Sequence, residues 1–182
     1  MVAELIEPVA RPLMRSIEVD APRAGFGENL KLFGQFVGNW KYETQYFLPD
    51  GTTVNGEGEI HFGWILGGTA VQDTMEGVIR NPPPGFPKSG NFTGVRFYDP
   101  TIDAWQVVAI APSSRAVQRF TARQVGDEIV LEGKNDQGFI EHWIFSEITH
   151  DSWHWRALES RDNGKTWHLD QRIWAVRIRP EK

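Results

Sequence analysis

The stretch "HFGWILGGTAVQDTMEG", residues 61–77, contains two alternating segments on either side of Gly67-Gly68. On both sides of the glycine pair, apolar side chains alternate with polar ones, which is typical of two half-buried antiparallel strands. If the glycine pair forms a two-residue hairpin, Phe62 lies opposite Asp73. This register predicts that Asp73 shares the apolar face of the sheet.

Turn-forming sequences recur at regular intervals from about Val37 onward. Together with Gly67-Gly68 they mark nine connections between segments rich in Val, Ile, Thr and aromatic residues. Most connections are too short for the crossover that parallel strands require. We therefore predict an all-β, antiparallel up-and-down β-barrel of about ten strands, because closure removes the sheet edges. The other predicted turns are residues 49–51, 82–90, 99–103, 112–114, 125–127, 135–138, 149–151 and 162–164.

One helical segment, "GENLKLFGQFVGNW" (27–40), precedes the strands. Its apolar residues recur at three- and four-residue spacing, and Asn29 is a candidate N-cap. We expect this helix to be short and to plug one end of the barrel. Residues 1–26 show no sustained period, so we predict an extended N-terminal arm, lying on the barrel or on a neighbouring subunit, followed by a barrel domain over 27–182.

Composition narrows the possible partners and chemistry. The chain has no cysteine, which excludes disulfides and thiolate nucleophiles, and its formal charge is −5 with acidic and basic residues interspersed. This pattern argues against nucleic-acid and anionic-membrane binding. No segment approaches the roughly 18 apolar residues that span a bilayer, and the first residues do not resemble a signal peptide. We expect a soluble, cytoplasmic protein.

The sequence resembles a known superfamily at several places. The helix that runs into "GNW" (38–40) resembles the Gly-x-Trp motif of the lipocalin/calycin superfamily, whose members often stack an arginine from the end of the chain over that tryptophan. By this resemblance, Arg177 or Arg179 would stack over Trp40. Residues 61–77, 94–108 and 160–167 also resemble a group of bacterial lipocalin-like barrels of unassigned function. The resemblance implies architecture and brings no catalytic residues with it.

The segment "SRDNGKTW" (160–167) matches the Ser-x-Asp-x-Gly-x-Thr-Trp pattern of the Asp-box, best known from sialidase propellers. The chain carries one copy and is too short for such a propeller. The side chains of Ser160 and Asp162 suit the exposed amides of a tight hairpin, and Trp167 suits apolar packing. We interpret the Asp-box hairpin as a structural staple and not as a glycosidase site.

Strand parity predicts which residues face the lumen. Pairing about the turns near His150 and Asn163 aligns Trp143 with Trp155 and with Gln171. In the loop 81–91, Phe86 belongs to no strand and suits either a lid over one barrel mouth or a contact on the barrel exterior. The predicted ligand-binding residues are Tyr42, Tyr46, Phe62, Phe86, Trp143, Trp155 and Gln171.

Three charged residues are candidates for chemistry. Asp73 and Glu141 fall on the predicted lumen face, where loss of solvation raises a carboxyl pKa and suits it to general acid or base catalysis. Arg96 is a further catalytic candidate, although Val95 and Phe97 form the apolar set of its strand, so Arg96 faces outward unless a bulge intervenes. A purely structural, hydrogen-bonded role for the two carboxylates remains an equal alternative.

No metal ligands or cofactor motifs stand out. The five histidines are spread over different faces and turns, and there is no His-Glu-x-x-His, nucleophile-elbow, phosphate-loop or dinucleotide pattern. We therefore predict no cofactor and no metal, with a lone histidine as haem ligand as the remaining alternative.

The functional prediction is a barrel that binds a small aromatic or amphipathic molecule in its lumen. The first reading is a cofactor-independent acid–base enzyme of the lyase, isomerase or hydrolase type. The alternatives are a non-catalytic binding or carrier barrel and, more weakly, a scaffold or dimerisation module. The expected partners are a small-molecule ligand or substrate and a second copy in a homodimer, with no nucleic acid and no membrane.

Overall fold

The computed structural model of the chain describes residues 17–25 and 27–179. Ten long strands, β2 to β11, follow one another antiparallel around a closed barrel, in which β11 pairs with β2 and β3 pairs with β4. A two-residue strand, β1, adds to one end of β3. The strands are β1 (Glu18–Val19), β2 (Gly38–Phe47), β3 (Thr53–Ile65), β4 (Ala70–Arg80), β5 (Ser89–Asp99), β6 (Ala104–Ala111), β7 (Ala116–Val125), β8 (Glu128–Lys134), β9 (Ile140–Ser146), β10 (Ser152–Ser160) and β11 (His168–Arg177).

The predicted fold class is therefore confirmed, and each of the nine predicted turns joins two consecutive strands. Short turns leave each of β2 to β11 hydrogen-bonded to its neighbours in sequence, so the meander closes without a crossover. No helix among the described residues is long and apolar enough to cross a membrane.

The helical segment is shorter than its sequence period indicates. A 3₁₀ turn, Gly27–Leu30, leads into a single α-helical turn, α1 (Lys31–Gly34). The residue that caps α1 is Leu30, without a side-chain hydrogen bond, so the prediction of Asn29 as the cap was wrong. The 3₁₀ turn explains the difference, because it takes up the residues where an N-cap side chain would otherwise act.

The helical segment nevertheless plugs one barrel end, as predicted. Phe33 and Phe36 are fully buried. The Phe33 ring packs edge-on to Trp105 with centroids 5.0 Å apart, and the Phe36 ring lies 5.0 Å from that of Phe145. These aromatic contacts close this end with apolar side chains and leave the opposite end for solvent access.

Part of the predicted arm is visible. Through β1, Glu18 pairs with Ile65, and the amide of Arg23 donates to the carbonyl oxygen of Gly68 at 2.9 Å. Residues 17–25 thus lie along the barrel wall. The rest of the arm, residues 1–16 and 26, lies outside the described residues, and its extent stays a prediction.

The predicted register of the first hairpin is confirmed. Phe62 lies opposite Asp73, although the connection is a four-residue loop over 66–69 rather than a two-residue turn. The two loops share one centre, so the residues opposite each other are the same. Asp73 is consequently on the inner face and only 5% exposed.

The predicted register of β9, β10 and β11 was wrong by two residues, except past the bulge between Ala157 and Leu158, where the pairing of β10 with β11 differs by one. Trp143 lies opposite Ala157, and Trp155 lies opposite Phe145 and Ile173. Glu147, in the loop before β10, has a φ of 50°, and this irregular connection moves the pairing. A two-residue shift keeps every side chain on its own face, so Trp143 and Trp155 still point inward.

The prediction that Arg96 faces outward was also wrong. Arg96 is 3% exposed, whereas Phe97 on the other face is 45% exposed. The pairing of β5 with β4 and β6 is continuous, so no bulge is involved. An inward arginine is stable here because an inward carboxylate on β4 lies beside it.

The turn over 160–167 is held by its own side chains. Asp162 Oδ1 accepts the amides of Lys165 and Thr166 at 3.0 and 2.8 Å, and Ser160 Oγ accepts the amide of Gly164 at 2.8 Å. The Trp167 ring stays 38% exposed and lies against the imidazole of His142, with centroids 4.2 Å apart. Trp167 therefore packs on the barrel surface against His142, with its ring half-exposed.

Candidate ligand cavity in the barrel lumen

The barrel contains an internal cavity of about 390 Å³. It runs from a buried charged pair near the plugged end to a mouth formed by the loops over 81–88 and 112–115. Its walls are mainly aromatic and aliphatic side chains, which is the usual lining of a small-molecule site. Six of the seven predicted ligand-binding residues line it: Tyr46, Phe62, Phe86, Trp143, Trp155 and Gln171.

Tyr42, the seventh, is buried in the wall and does not line the cavity. Its hydroxyl lies against Gly77, where a Cβ atom would collide with it. Burial raises the pKa of Tyr42, so the hydroxyl stays protonated. The structure places Tyr42 behind the cavity surface.

At the inner end of the cavity lies an ion pair between Asp73 on β4 and Arg96 on β5. Arg96 Nη2 is 2.5 Å from Asp73 Oδ1, and the two side chains are 4% and 6% exposed. Both residues line the cavity. The sequence singled out both side chains but did not predict that they meet, because it placed Arg96 on the outer face.

Gly94 makes the close approach possible. A Cβ atom at this position would lie 2.6 Å from both Arg96 Nη2 and Asp73 Oδ1. Gly94 stands directly opposite Asp73 and two residues before Arg96, so a larger residue would separate the pair. The glycine is therefore part of the geometry of the site.

The two side chains are in close contact, but some of their polar atoms have no hydrogen-bond partner among the described residues. Within the described residues, Arg96 Nε and Nη1 and Asp73 Oδ1 are buried without a hydrogen-bond partner, although Arg96 Nη2 lies 2.5 Å from Asp73 Oδ1. The guanidinium carbon lies 5.1 Å from the ring centroid of Phe33 and 5.4 Å from that of Phe62. The two rings support the cation but accept none of its N–H groups in a conventional hydrogen bond.

Burial determines the protonation behaviour of Asp73. Loss of solvation raises the pKa of Asp73, and the neighbouring Arg96 opposes this rise without cancelling it. A carboxyl group with a raised pKa, next to a permanent cation and facing a cavity, is suited to hold or transfer a proton.

Glu141 lies nearer the mouth. It is on the inner face of β9, two residues from Trp143, but it does not line the cavity. Gln118, which does line the cavity, donates a hydrogen bond to Glu141 Oε2. Burial, with the nearby charges of Glu159 and Asp170, raises the pKa of Glu141 to about 7. The structure does not bring Glu141 and Asp73 together.

Phe86 is placed over the mouth. Its ring is half-buried and lies 5.4 Å from the ring of Tyr46, edge to face. The amide of Phe86 donates to the carbonyl oxygen of Pro83 at 3.0 Å, which folds the loop into a turn. Phe86 and Tyr46 both line the cavity, so the loop that carries Phe86 restricts access to the lumen.

Several lining residues were missed. Trp153 shares the parity of Trp155 on β10, and Gln118 shares the parity of Phe120 on β7, so strand alternation was a sufficient signal for both. Ser113 and Ser114 reach the cavity from a 3₁₀ turn at the mouth, for which the sequence offers no periodic signal.

Other places in the molecule are weaker candidates. A groove of about 1210 Å³ lies at the plugged end, along the segment 22–35, but none of its lining residues carries a buried polar atom without a partner. Among the residues that the structure describes, no three His, Asp or Glu side chains are grouped so as to hold a metal ion.

No protein family and no curated protein matches the sequence of this chain. Solved structures do match its fold. The S-type phycobiliprotein lyase CPES from Guillardia theta superposes with a TM-score of 0.56 at 14% identity, covering 83% of this chain and 93% of that one. Rv2717c from M. tuberculosis superposes with a TM-score of 0.56 at 15% identity, covering 84% of this chain and 98% of that one. At these identities the likeness concerns the fold, and the chain has the ten-stranded, lipocalin-like β-barrel fold that its sequence resembles.

Proposed function

We propose that this protein binds a small aromatic or amphipathic molecule in the barrel lumen. The observation that carries the proposal is the cavity itself, whose aromatic walls surround one buried ion pair with unsatisfied donors. Apolar walls supply affinity, and a few polar groups with free hydrogen-bonding capacity fix orientation.

A second candidate, catalysis, is favoured by the environment of Asp73. Its raised pKa and its position beside Arg96 at the cavity surface support a cofactor-independent lyase or isomerase, or a hydrolase, with Asp73 as acid or base and Arg96 as the stabilising cation. Glu141 is a less direct candidate, acting at the mouth through Gln118. One of the structures with a similar fold is a lyase, which agrees with a catalytic role. At 14% identity, however, that similarity concerns the fold alone.

Calorimetric titration with flat aromatic compounds tests the binding proposal. Trp143→Leu removes an aromatic wall of the cavity, whereas Trp174→Leu changes a tryptophan of the same barrel that is outside the cavity. We expect the first variant to weaken binding several-fold and the second to leave it unchanged. Equal affinities in both variants would contradict binding in the lumen.

Conversion of the bound compound separates an enzyme from a carrier. Wild-type protein and Asp73→Asn are incubated with each ligand that binds, and the ligand is followed by NMR. Conversion by the wild type that Asp73→Asn abolishes supports acid–base catalysis. Binding without conversion across the panel favours the non-catalytic carrier.

The proposal of a homodimer rests on a different surface. On the outer faces of β6 and β7, Ile110 and Val117 are 40% and 57% exposed and lie directly opposite each other. Apolar side chains grouped in this way are typical of contact surfaces. Sedimentation of the wild type and of Ile110→Lys tests the proposal, since a dimer through this face becomes a monomer in the variant.

A further inference from the structure

The charged pair at the inner end of the cavity specifies the chemistry of its ligand. Arg96 has two nitrogen atoms without a hydrogen-bond partner among the described residues, and the side chain is 4% exposed. We propose that the ligand is a neutral, planar aromatic carbonyl compound, such as an aryl amide or lactam, whose carbonyl oxygen accepts a hydrogen bond from Arg96. This inference rests on the proposed function, because it names the class of molecule that the same lumen binds.

The ligand is neutral in this proposal because the cavity already holds a charged pair. The Arg96 guanidinium opposes the burial-driven rise in the pKa of Asp73, and with Asp73 ionised the inner end of the cavity holds one cation and one anion in contact. A ligand carboxylate would place a second anion against a single guanidinium in a region with little water, which is costly unless a proton is taken up. A carbonyl oxygen satisfies an N–H group and adds no net charge.

The direction of approach follows from the rings around the guanidinium. Phe33 and Phe62 lie near it at 5.1 and 5.4 Å. With aromatic rings against the guanidinium, hydrogen-bond acceptors approach its edges, where the N–H groups point. Asp73 occupies one edge position through Nη2, and Nε and Nη1 remain for the ligand.

The ligand is planar in this proposal because the cavity walls beyond the charged pair are aromatic. The ring centroids of Trp143 and Trp155 lie 5.4 Å apart, and that of Phe92 lies 5.9 Å from Trp143. All three line the cavity. Aromatic side chains grouped in this way present flat faces and edges, which suit an aromatic ring carrying a carbonyl at its end.

Three probes that differ in one substituent test the inference: naphthamide, naphthoate and methylnaphthalene, substituted at the same ring position. Calorimetric titration of wild-type protein should give the tightest binding for naphthamide, by about tenfold over each of the other two. The amide gains a hydrogen bond that methylnaphthalene lacks, and it avoids the like charge that naphthoate brings to Asp73.

Charge variants sharpen the test. Asp73→Asn leaves Arg96 without its anion, and we expect it to reverse the order, so that naphthoate binds more tightly than naphthamide. Replacing both members, Asp73→Leu with Arg96→Met, removes the pair without leaving a lone charge and should make the three affinities similar. Glu57→Gln, which breaks the Glu57–Arg80 pair outside the cavity, is the matched control and should preserve the wild-type order.

The outcomes separate the two proposals. If wild-type protein binds naphthoate or methylnaphthalene as tightly as naphthamide, the carbonyl inference fails while lumen binding stands. If Asp73→Asn is folded and keeps the wild-type order, the inference also fails. If none of the three probes binds, the proposed function fails together with the inference. The wild-type comparison needs no variant, so it decides the matter even where a variant does not fold.

Discussion

The guanidinium carbon of Arg177, at the end of β11, lies 4.0 Å from the centroid of the Trp40 ring, at the start of β2. The same guanidinium donates to three carbonyl oxygens, those of His150, Val37 and Gln35, at 2.7, 2.9 and 3.0 Å. One side chain thus joins the last strand, the loop before β10 and the segment that follows α1. It fastens the plugged end of the barrel, and it is the arginine stacking that the resemblance to lipocalins implies.

Arg177→Lys should therefore destabilise the protein markedly. A lysine cannot stack a planar group on Trp40 or reach three carbonyl oxygens at once. We expect the free energy of unfolding to fall by roughly 2–3 kcal/mol in urea denaturation. Arg179→Lys is the control, because Arg179 is exposed and forms an ion pair with Asp151, a type of surface pair worth about 0–1 kcal/mol. Equal losses in both variants would contradict the role of the stack.

The inner face of the first hairpin could be predicted because its signal is local. Phe62 and Asp73 stand on either side of one short loop, so alternation and a turn centre were sufficient to pair them. The orientation of Arg96 could not be predicted in this way. The side chain that compensates its charge is on the previous strand, 23 positions earlier by their numbers, and alternation within β5 alone favours burying Val95 and Phe97.

Contacts between β9, β10 and β11 could not be predicted from local sequence either. The faces of Trp143 and Trp155 were predicted correctly, but their partners were not, because the connection at Glu147 has an irregular backbone and β10 pairs with β11 through a bulge between Ala157 and Leu158. Sequence alternation fixes which face a residue occupies, whereas register depends on loop geometry. The cavity walls were therefore easier to predict than the contacts within them.

Asp162→Ala should lower the melting temperature by several degrees and leave lumen binding unchanged. Asp162 accepts two backbone amides and the hydroxyl of Thr166, which the variant leaves without this acceptor. These bonds lower the pKa of Asp162, so its stabilising effect is present above the pKa of the unfolded chain and is lost as pH falls through the folded value. Melting curves with and without naphthamide measure both effects. A selective loss of binding at an unchanged melting temperature would overturn the structural role.

Glu141 should make the protein less stable as pH rises from about 4.5 to about 7. Burial raises its folded pKa to about 7 from the ordinary 4.5, so the folded state holds this proton more tightly than the unfolded chain. The associated stability is fully present below the unfolded pKa and is lost as pH passes the folded value. We expect Glu141→Gln to remove roughly 1–2 kcal/mol of this dependence, because partial exposure screens the effect.

Two variants separate this effect from a general loss of carboxylate charge. Glu159→Gln removes a negative charge that raises the pKa of Glu141, so the midpoint of the pH dependence should move to lower pH. Glu76→Gln removes an exposed carboxylate on the outer face and should leave the profile unchanged. A profile that Glu141→Gln does not flatten would assign the pH dependence to other groups.

Gly94→Ala should damage the charged pair directly. The added Cβ atom would lie 2.6 Å from both Arg96 Nη2 and Asp73 Oδ1, so one of the two side chains must move. We expect a loss of roughly 2–4 kcal/mol in the free energy of unfolding and weaker naphthamide binding. Gly90→Ala is the control for stability on the same strand, because Gly90 lines the cavity but its Cβ atom would meet only Ser113 Oγ, at 4.0 Å. Similar effects of the two variants would indicate a general intolerance of β5 to alanine.

The mouth of the cavity offers a kinetic prediction. Phe86 lies edge-on to Tyr46 at 5.4 Å and lines the cavity, so its ring stands in the path between solvent and the lumen. The loop that carries it contains three consecutive prolines, Pro82 to Pro84, which restrict its backbone. A restricted loop with one apolar side chain over an opening can slow both association and dissociation of a ligand.

Phe86→Ala should consequently raise both rate constants for naphthamide, by roughly three- to tenfold, since the lost aromatic contact is worth about 0.5–1.5 kcal/mol in each barrier. Affinity then changes less than either rate. Stopped-flow measurement of tryptophan fluorescence reports the rates, because Trp143 and Trp155 line the cavity. Lys88→Ala, an exposed position in the same loop, controls for altered loop sequence and should leave both rates at the wild-type values. If Phe86→Ala lowers the melting temperature while both rates stay unchanged, Phe86 packs against the barrel without gating it, and the loop is a contact surface instead of a lid.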